Sequence, residues 1–107
     1  MKEVEKNLKG KWVLITGASS GFGIDFANIF AESGANLILV ARRVEPMQEL
    51  KNKLEAAYKI KVEIIPTDLS TKEAPVNLYN AVKSKGIIVD ALVNNAGFGI
   101  YGEFIEA

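Results

Sequence analysis

The chain has 107 residues, enough for one domain with a moderate core and too few for two. Lys and Arg number 13 and Asp and Glu number 13, so the formal net charge is zero and neither a nucleic-acid-binding surface nor an acidic tail is indicated. With no cysteine and no histidine, the composition excludes disulfides, thiol nucleophiles and histidine acid–base chemistry. It also lacks the commonest metal ligand, so no metal site is expected.

Residues 1–10, MKEVEKNLKG, carry charges of both signs and read as a polar N-terminal arm. They contain no apolar core of signal-peptide length, and no later run approaches the roughly 18 apolar residues of a membrane span. A cytoplasmic protein without a membrane or nucleic-acid partner is the expectation.

The next segment, KWVLITG, is a short continuous apolar run that stops at glycine, the pattern of a strand buried on both faces, near residues 11–16. It leads directly into TGASSGFG, Thr16 to Gly23. Tight turns favour glycine, and the free N–H groups and dipole at a helix N-terminus attract phosphate. Beyond the loop, Phe22, Phe26, Ile29 and Phe30 form one apolar stripe at helical spacing, with Gly34 as the stop.

A second apolar run, NLILVA, predicts a strand over 36–41 and ends in Arg42 and Arg43. At this distance from the glycine loop, an NAD-binding domain places an acid on the ribose 2′-hydroxyl. Two guanidinium groups oppose that role and instead suit a 2′-phosphate, which makes NADP(H) the expected cofactor over NAD(H). The alternative is a solvated loop. Met47, Leu50, Leu54 and Tyr58 then follow at helical spacing, with Pro46 placed to open the helix.

VEIIP predicts a third strand over 61–66, and DLS follows it. Ser70 and Thr71 are candidate N-caps of a third helix with Glu73 in its first turn and Gly86 at its end. DALVN predicts a fourth strand over 89–93, followed by NNAG. Strand and helix therefore alternate, which predicts an α/β fold: a doubly wound parallel sheet of order 3-2-1-4 with helices on both faces. The crevice between strands one and four would be the ligand-binding switch point.

TGASSGFG, the DLS of Asp68 to Ser70 and the NNAG of Asn94 to Gly97 together resemble the short-chain dehydrogenase/reductase family, from Lys11 onward. The resemblance implies a Rossmann-like fold of which this is the first half. Residues 11–97 would be the NAD(P)-binding portion and residues 98–107 the start of the catalytic and substrate half, truncated here. It also implies that Gly17, Ser19, Ser20, Gly21, Phe22, Gly23 and Ile24 wrap the pyrophosphate and adjacent ribose. Arg42 and Arg43 would meet the 2′-phosphate, while Asp68 and Leu69 border the adenine. Asn94, Ala96 and Gly97 would line the far side of the crevice, and Asn95 would help hold the central strands. For Asp68 the alternative is a helix-initiating acid, and for the two asparagines a self-satisfied turn.

One further pair, Tyr79 and Lys83, matches a Tyr-x-x-x-Lys proton-transfer pattern but stands before NNAG, whereas the family's pair stands well after it. At about 1.5 Å per residue, Tyr79 would also lie roughly 12 Å down a helix leading away from the crevice. The expectation is a helix residue packing with Val76 and Val82, with Lys83 solvated and no catalytic residue in this chain. The resemblance thus implies an oxidoreductase passing hydride between nicotinamide and a carbonyl or alcohol substrate, homo-oligomeric when intact. The alternative is a non-catalytic dinucleotide-binding module or truncated remnant.

Overall fold

The computed structural model describes residues 8–95. The first seven residues of the polar arm, Ala96, Gly97 and the 98–107 segment lie outside the described residues. The elements are β1 (Trp12–Thr16), α1 (Gly21–Glu32), β2 (Asn36–Ala41), α2 (Val44–Ala57), β3 (Val62–Pro66), α3 (Ala74–Ser84) and β4 (Val89–Asn94). All strand pairs are parallel and the sheet order is β3-β2-β1-β4, as expected of the doubly wound arrangement. No helix among the described residues is long and apolar enough to cross a membrane.

The continuous apolar runs are explained by burial on both sides. Val13 and Ile15 of β1, with Leu37 and Leu39 of β2, pack into the core formed with α1 and α2. The intervening Leu14, Ile38 and Val40 point the other way, into the core beneath Ala74, Leu78 and Val82 of α3. Successive strand side chains alternate faces, so a sheet covered on both sides needs apolar residues at every position.

β1 and β4 are in register from Val13 opposite Ala91 onward, with an irregularity at the bottom of the pair. There the Trp12 N–H donates to the Asp90 carboxylate at 2.9 Å, which supplies an acceptor where the ladder slips. At the same end, Asn36 donates to the Gly10 carbonyl at 3.3 Å and accepts from the Lys61 N–H at 2.9 Å, binding three segments together.

The buried face of α1 follows the apolar stripe only in part, with Phe30 buried and Phe26 packed against the same core. Gly23, Ala27, Phe30 and Ala31 face the sheet, while Phe22 is 73% exposed and Ile29 42% exposed. At its first turn the helix sits so close to the loop that precedes it that only glycine fits. A Cβ on Gly23 would collide with the Gly17 carbonyl oxygen and lie 2.8 Å from the Ala18 Cα. The second helix buries Met47, Leu50 and Leu54 as the spacing predicts, and begins at Val44, two residues before Pro46.

The third helix starts later than Ser70 and Thr71 suggest. It begins at Ala74, its N-cap is Glu73 without a side-chain cap, and Pro75 occupies the first turn. The Ser70 hydroxyl is engaged by Asp68 instead, and Thr71 turns the chain by bonding the Asp68 carbonyl at 3.1 Å. Helices α1 and α3 both end in Schellman motifs: Ala35 N–H to Phe30 O at 3.1 Å with Gly34 N–H to Ala31 O at 3.0 Å, and Ile87 N–H to Val82 O at 3.4 Å with Gly86 N–H to Lys83 O at 2.9 Å.

Candidate functional site

Parallel packing brings the loops after β1, β2 and β3 to one edge of the sheet. Gly17 ends β1 with φ of 63°, a left-handed conformation that side chains with a Cβ rarely adopt, and this turns the chain sharply into the loop. The Ala18 N–H donates to the Val40 carbonyl at 3.1 Å and so pins the loop to β2. On the other side of β2, the Thr67 N–H donates to the Ala41 carbonyl at 2.9 Å and fixes the start of the loop after β3.

Between these loops lies an open cavity of about 350 Å³. Of the residues named from sequence, Gly17, Ser19, Arg42, Asp68 and Leu69 line it. Ala41, Thr67 and Ser70 line it as well, and sequence reasoning missed them in that role. The DLS match contains Ser70, but its sequence context reads as a helix cap. Among the described residues, the cavity lies over the ends of β1, β2 and β3 rather than in the β1–β4 gap. Arg43, exposed at the N-cap of α2, does not line the cavity, nor do Ser20 and the first helical residues Gly21 to Ile24.

The electrostatics of the cavity centre on Asp68. Its Oδ1 accepts from the Ser70 hydroxyl at 2.6 Å and from the Ser70 N–H at 3.0 Å. These bonds favour the charged form and hold the carboxyl below its ordinary range, with a smaller pull from the Arg42 guanidinium. An acceptor and a cation therefore share one rim.

Asn94 and Asn95 join β4 to the glycine loop. The buried Thr16 hydroxyl lies 3.0 Å from Asn94 Oδ1 and 3.4 Å from the Val93 carbonyl. The Asn95 amide donates to the Gly17 carbonyl at 3.2 Å and to the Ser20 hydroxyl at 2.7 Å. Ala96 and Gly97, also named for this side, lie outside the described residues.

Tyr79 and Lys83 are not brought to the cavity. Tyr79 is partly buried against the α3-side core, with the Lys83 ammonium 5.9 Å from its ring centroid. Val82 is buried as expected, whereas Val76 is 61% exposed and so is no core partner for Tyr79.

The short chain dehydrogenase family profile matches residues 11–107. The chain belongs to the short chain dehydrogenase family. Its relatives include a fatty acyl-CoA reductase of Acinetobacter baylyi, 41% identical over 95 residues, with 89% of this chain and 32% of the relative covered. A very-long-chain 3-oxoacyl-CoA reductase of Scheffersomyces stipitis is 37% identical over 91 residues, covering 83% of this chain and 26% of the relative. This short chain dehydrogenase sequence thus spans about a quarter to a third of the curated relatives it matches.

Among solved structures, L-sorbose reductase from Gluconobacter frateurii, complexed with NADPH and L-sorbose, superposes with a TM-score of 0.80 at 37% identity over 89% of this chain and 36% of that one. An NADH-dependent reductase complexed with NAD gives 0.75 at 27% identity over 84% of this chain and 37% of that one. Solved structures similar to this fold therefore include both an NADPH and an NAD complex.

Proposed function

We propose that this chain forms the NADP(H)-holding part of a short chain dehydrogenase that passes hydride between nicotinamide and a carbonyl or alcohol substrate. The observation that carries the reading is the convergence of the glycine loop, Arg42 and Asp68 on one cavity at the C-terminal edge of the sheet. Open α/β sheets bind ligands at that edge.

The residues present fit a dinucleotide. Ser19 and the first-turn N–H groups of Gly21 and Phe22 are donors suited to a pyrophosphate at a helix N-terminus. Arg42 suits a 2′-phosphate, whose doubly charged oxygens match a guanidinium fork. Asp68, held ionised by Ser70, is an acceptor for an adenine amino group. The close approach of Gly23 to Gly17 keeps the helix end near the sheet, so the loop donors are aimed without a side chain intervening. When bound, the nicotinamide ring supplies the hydride donor or acceptor, and these residues bind and orient it.

The preference for the phosphorylated cofactor rests on Arg42, with Arg43 on the adjoining helix start as a second cation. Titration with NADPH and with NADH, followed by nicotinamide fluorescence, tests this. Binding of NADPH at least tenfold tighter than NADH is expected. Equal binding overturns the 2′-phosphate role, and binding of neither overturns the dinucleotide site.

A further inference from the structure

We propose that Ser20 is a positioning residue and not a cofactor ligand: its hydroxyl ties the glycine loop to the end of β4 and withholds the Gly23 N–H from the donors that face a pyrophosphate. The inference rests on the dinucleotide reading above and assigns Ser20 a different task from the direct contact that the family resemblance implies.

A serine hydroxyl has one proton to donate and two acceptor sites. The Ser20 hydroxyl donates to the Gly17 carbonyl at 2.8 Å and accepts from the Gly23 N–H at 3.2 Å and from the Asn95 amide at 2.7 Å. All three positions are filled. The backbone of Ser20 is equally engaged, its N–H donating to the Gly17 carbonyl at 3.1 Å and its carbonyl accepting from the Ile24 N–H at 2.9 Å. A phosphate oxygen needs a donor, and Ser20 has none left to offer without breaking one of these bonds.

The same bonds sort the donors of the loop. Ala18, Ser20, Gly23 and Ile24 commit their N–H groups to Val40, Gly17, the Ser20 hydroxyl and the Ser20 carbonyl respectively. Ser19, Gly21 and Phe22 remain as the donors for a phosphate, and the Ser20 hydroxyl keeps the Gly23 N–H out of that set. Asn95 also reaches the Gly17 carbonyl at 3.2 Å, so a single oxygen collects the loop, the helix cap and β4. Loss of the Ser20 hydroxyl would free the Gly23 N–H and leave the Asn95 amide with the Gly17 carbonyl alone. The role of Asn95 is therefore exerted partly through Ser20.

The test uses the full-length protein with Ser20→Ala, Ser20→Gly, Ser20→Thr, Asn95→Ala and the Ser20→Ala/Asn95→Ala double variant. Ser20→Gly removes the hydroxyl from a cap position that tolerates glycine, should Ser20→Ala fold poorly. In the protein without cofactor, amide exchange at Gly23 is expected to accelerate in Ser20→Ala, Ser20→Gly and Asn95→Ala, and to stay slow in Ser20→Thr. NADPH affinity is expected to fall about fivefold in Ser20→Ala, the scale of one lost hydrogen bond, with no comparable further loss in the double variant. Adenosine 2′-monophosphate, which has no phosphate at the 5′ position, should bind the parent and Ser20→Ala alike. Additive losses in the double variant, or unchanged Gly23 exchange in Ser20→Ala and Ser20→Gly, overturn the proposal. Should NADPH fail to bind the parent protein, the dinucleotide reading falls and Gly23 exchange alone judges the tie.

Discussion

Ser70 holds one oxygen of Asp68 twice, through its hydroxyl at 2.6 Å and its N–H at 3.0 Å. Oδ2 has no hydrogen bond among the described residues, so it is the oxygen with capacity for a ligand amino group. Replacing Ser70 by Ala removes the shorter bond and loosens the carboxylate. The expected result is a NADPH affinity a few-fold lower, with the hypoxanthine analogue, which lacks the amino group, nearly unaffected. Parallel titrations of both nucleotides check this, and equal losses for the two would sink the adenine contact.

Asp68 also shapes the response to acid. Its folded-state carboxyl lies below the ordinary value of 3.8, chiefly because of the Ser70 bonds. The stability it contributes is therefore fully present above that ordinary value and is lost as pH falls through the lower folded value. Asp68→Asn should flatten the acid limb of a urea-midpoint profile taken between about pH 5 and pH 2. An unchanged acid limb would show that Asp68 is not held ionised.

Arg42 lines the cavity beside Asp68. A hydrogen bond to a charged group contributes roughly 1.5–3 kcal/mol, so Arg42→Ala should weaken NADPH by about 10- to 150-fold. NADH, without the 2′-phosphate, should change by less than about threefold. Calorimetric titration of both cofactors measures the difference, and equal losses would reassign Arg42 to packing or general charge.

Gly21 and Gly23 form a matched pair for stability. A Cβ on Gly21 meets nothing within 4 Å, whereas one on Gly23 collides with the Gly17 carbonyl. Gly23→Ala should destabilise the fold by about 1–3 kcal/mol through forced backbone displacement. Gly21→Ala should leave stability within about 0.5 kcal/mol, or raise it slightly, because alanine favours the helix. Thermal unfolding of the two variants decides the matter.

Leu14 is fully buried between β1's neighbours and the helix α3, while Val76 on that helix is 61% exposed. Leu14→Ala is expected to lose about 2–5 kcal/mol and Val76→Ser to remain within about 0.5 kcal/mol. Denaturant midpoints of the two variants would test which apolar residues form the second core.

The sheet was legible because its physics is local and repetitive. Val13, Leu14 and Ile15 form an unbroken apolar run because both sheet faces are covered, and the same holds from Leu37 to Val40. Gly17 was legible as a turn, and Arg42 and Asp68 as groups that follow strands on the same edge. Helix faces were less so. Phe22 and Ile29 matched an apolar period, yet Gly23 and Ala27 took the sheet side with Phe30, and at Gly23 the close approach to Gly17 excludes any side chain. Ser70 was read as a cap because its local surroundings resemble one, and only the position of Asp68 showed where its hydroxyl goes.

By itself the sequence determined the alternation of strand and helix, the strand order expected from it, the glycine turn and the charges that follow β2 and β3. These depend on periodicity and on residues adjacent in the chain. Only the tertiary structure decided which donors of the glycine loop are occupied and which oxygen of Asp68 is held. It also decided that Asn95, 75 residues from Ser20, completes the valence of its hydroxyl. Hydrogen-bond capacity is exhausted by whichever partners come within reach, and parallel strands bring those partners together from distant parts of the chain.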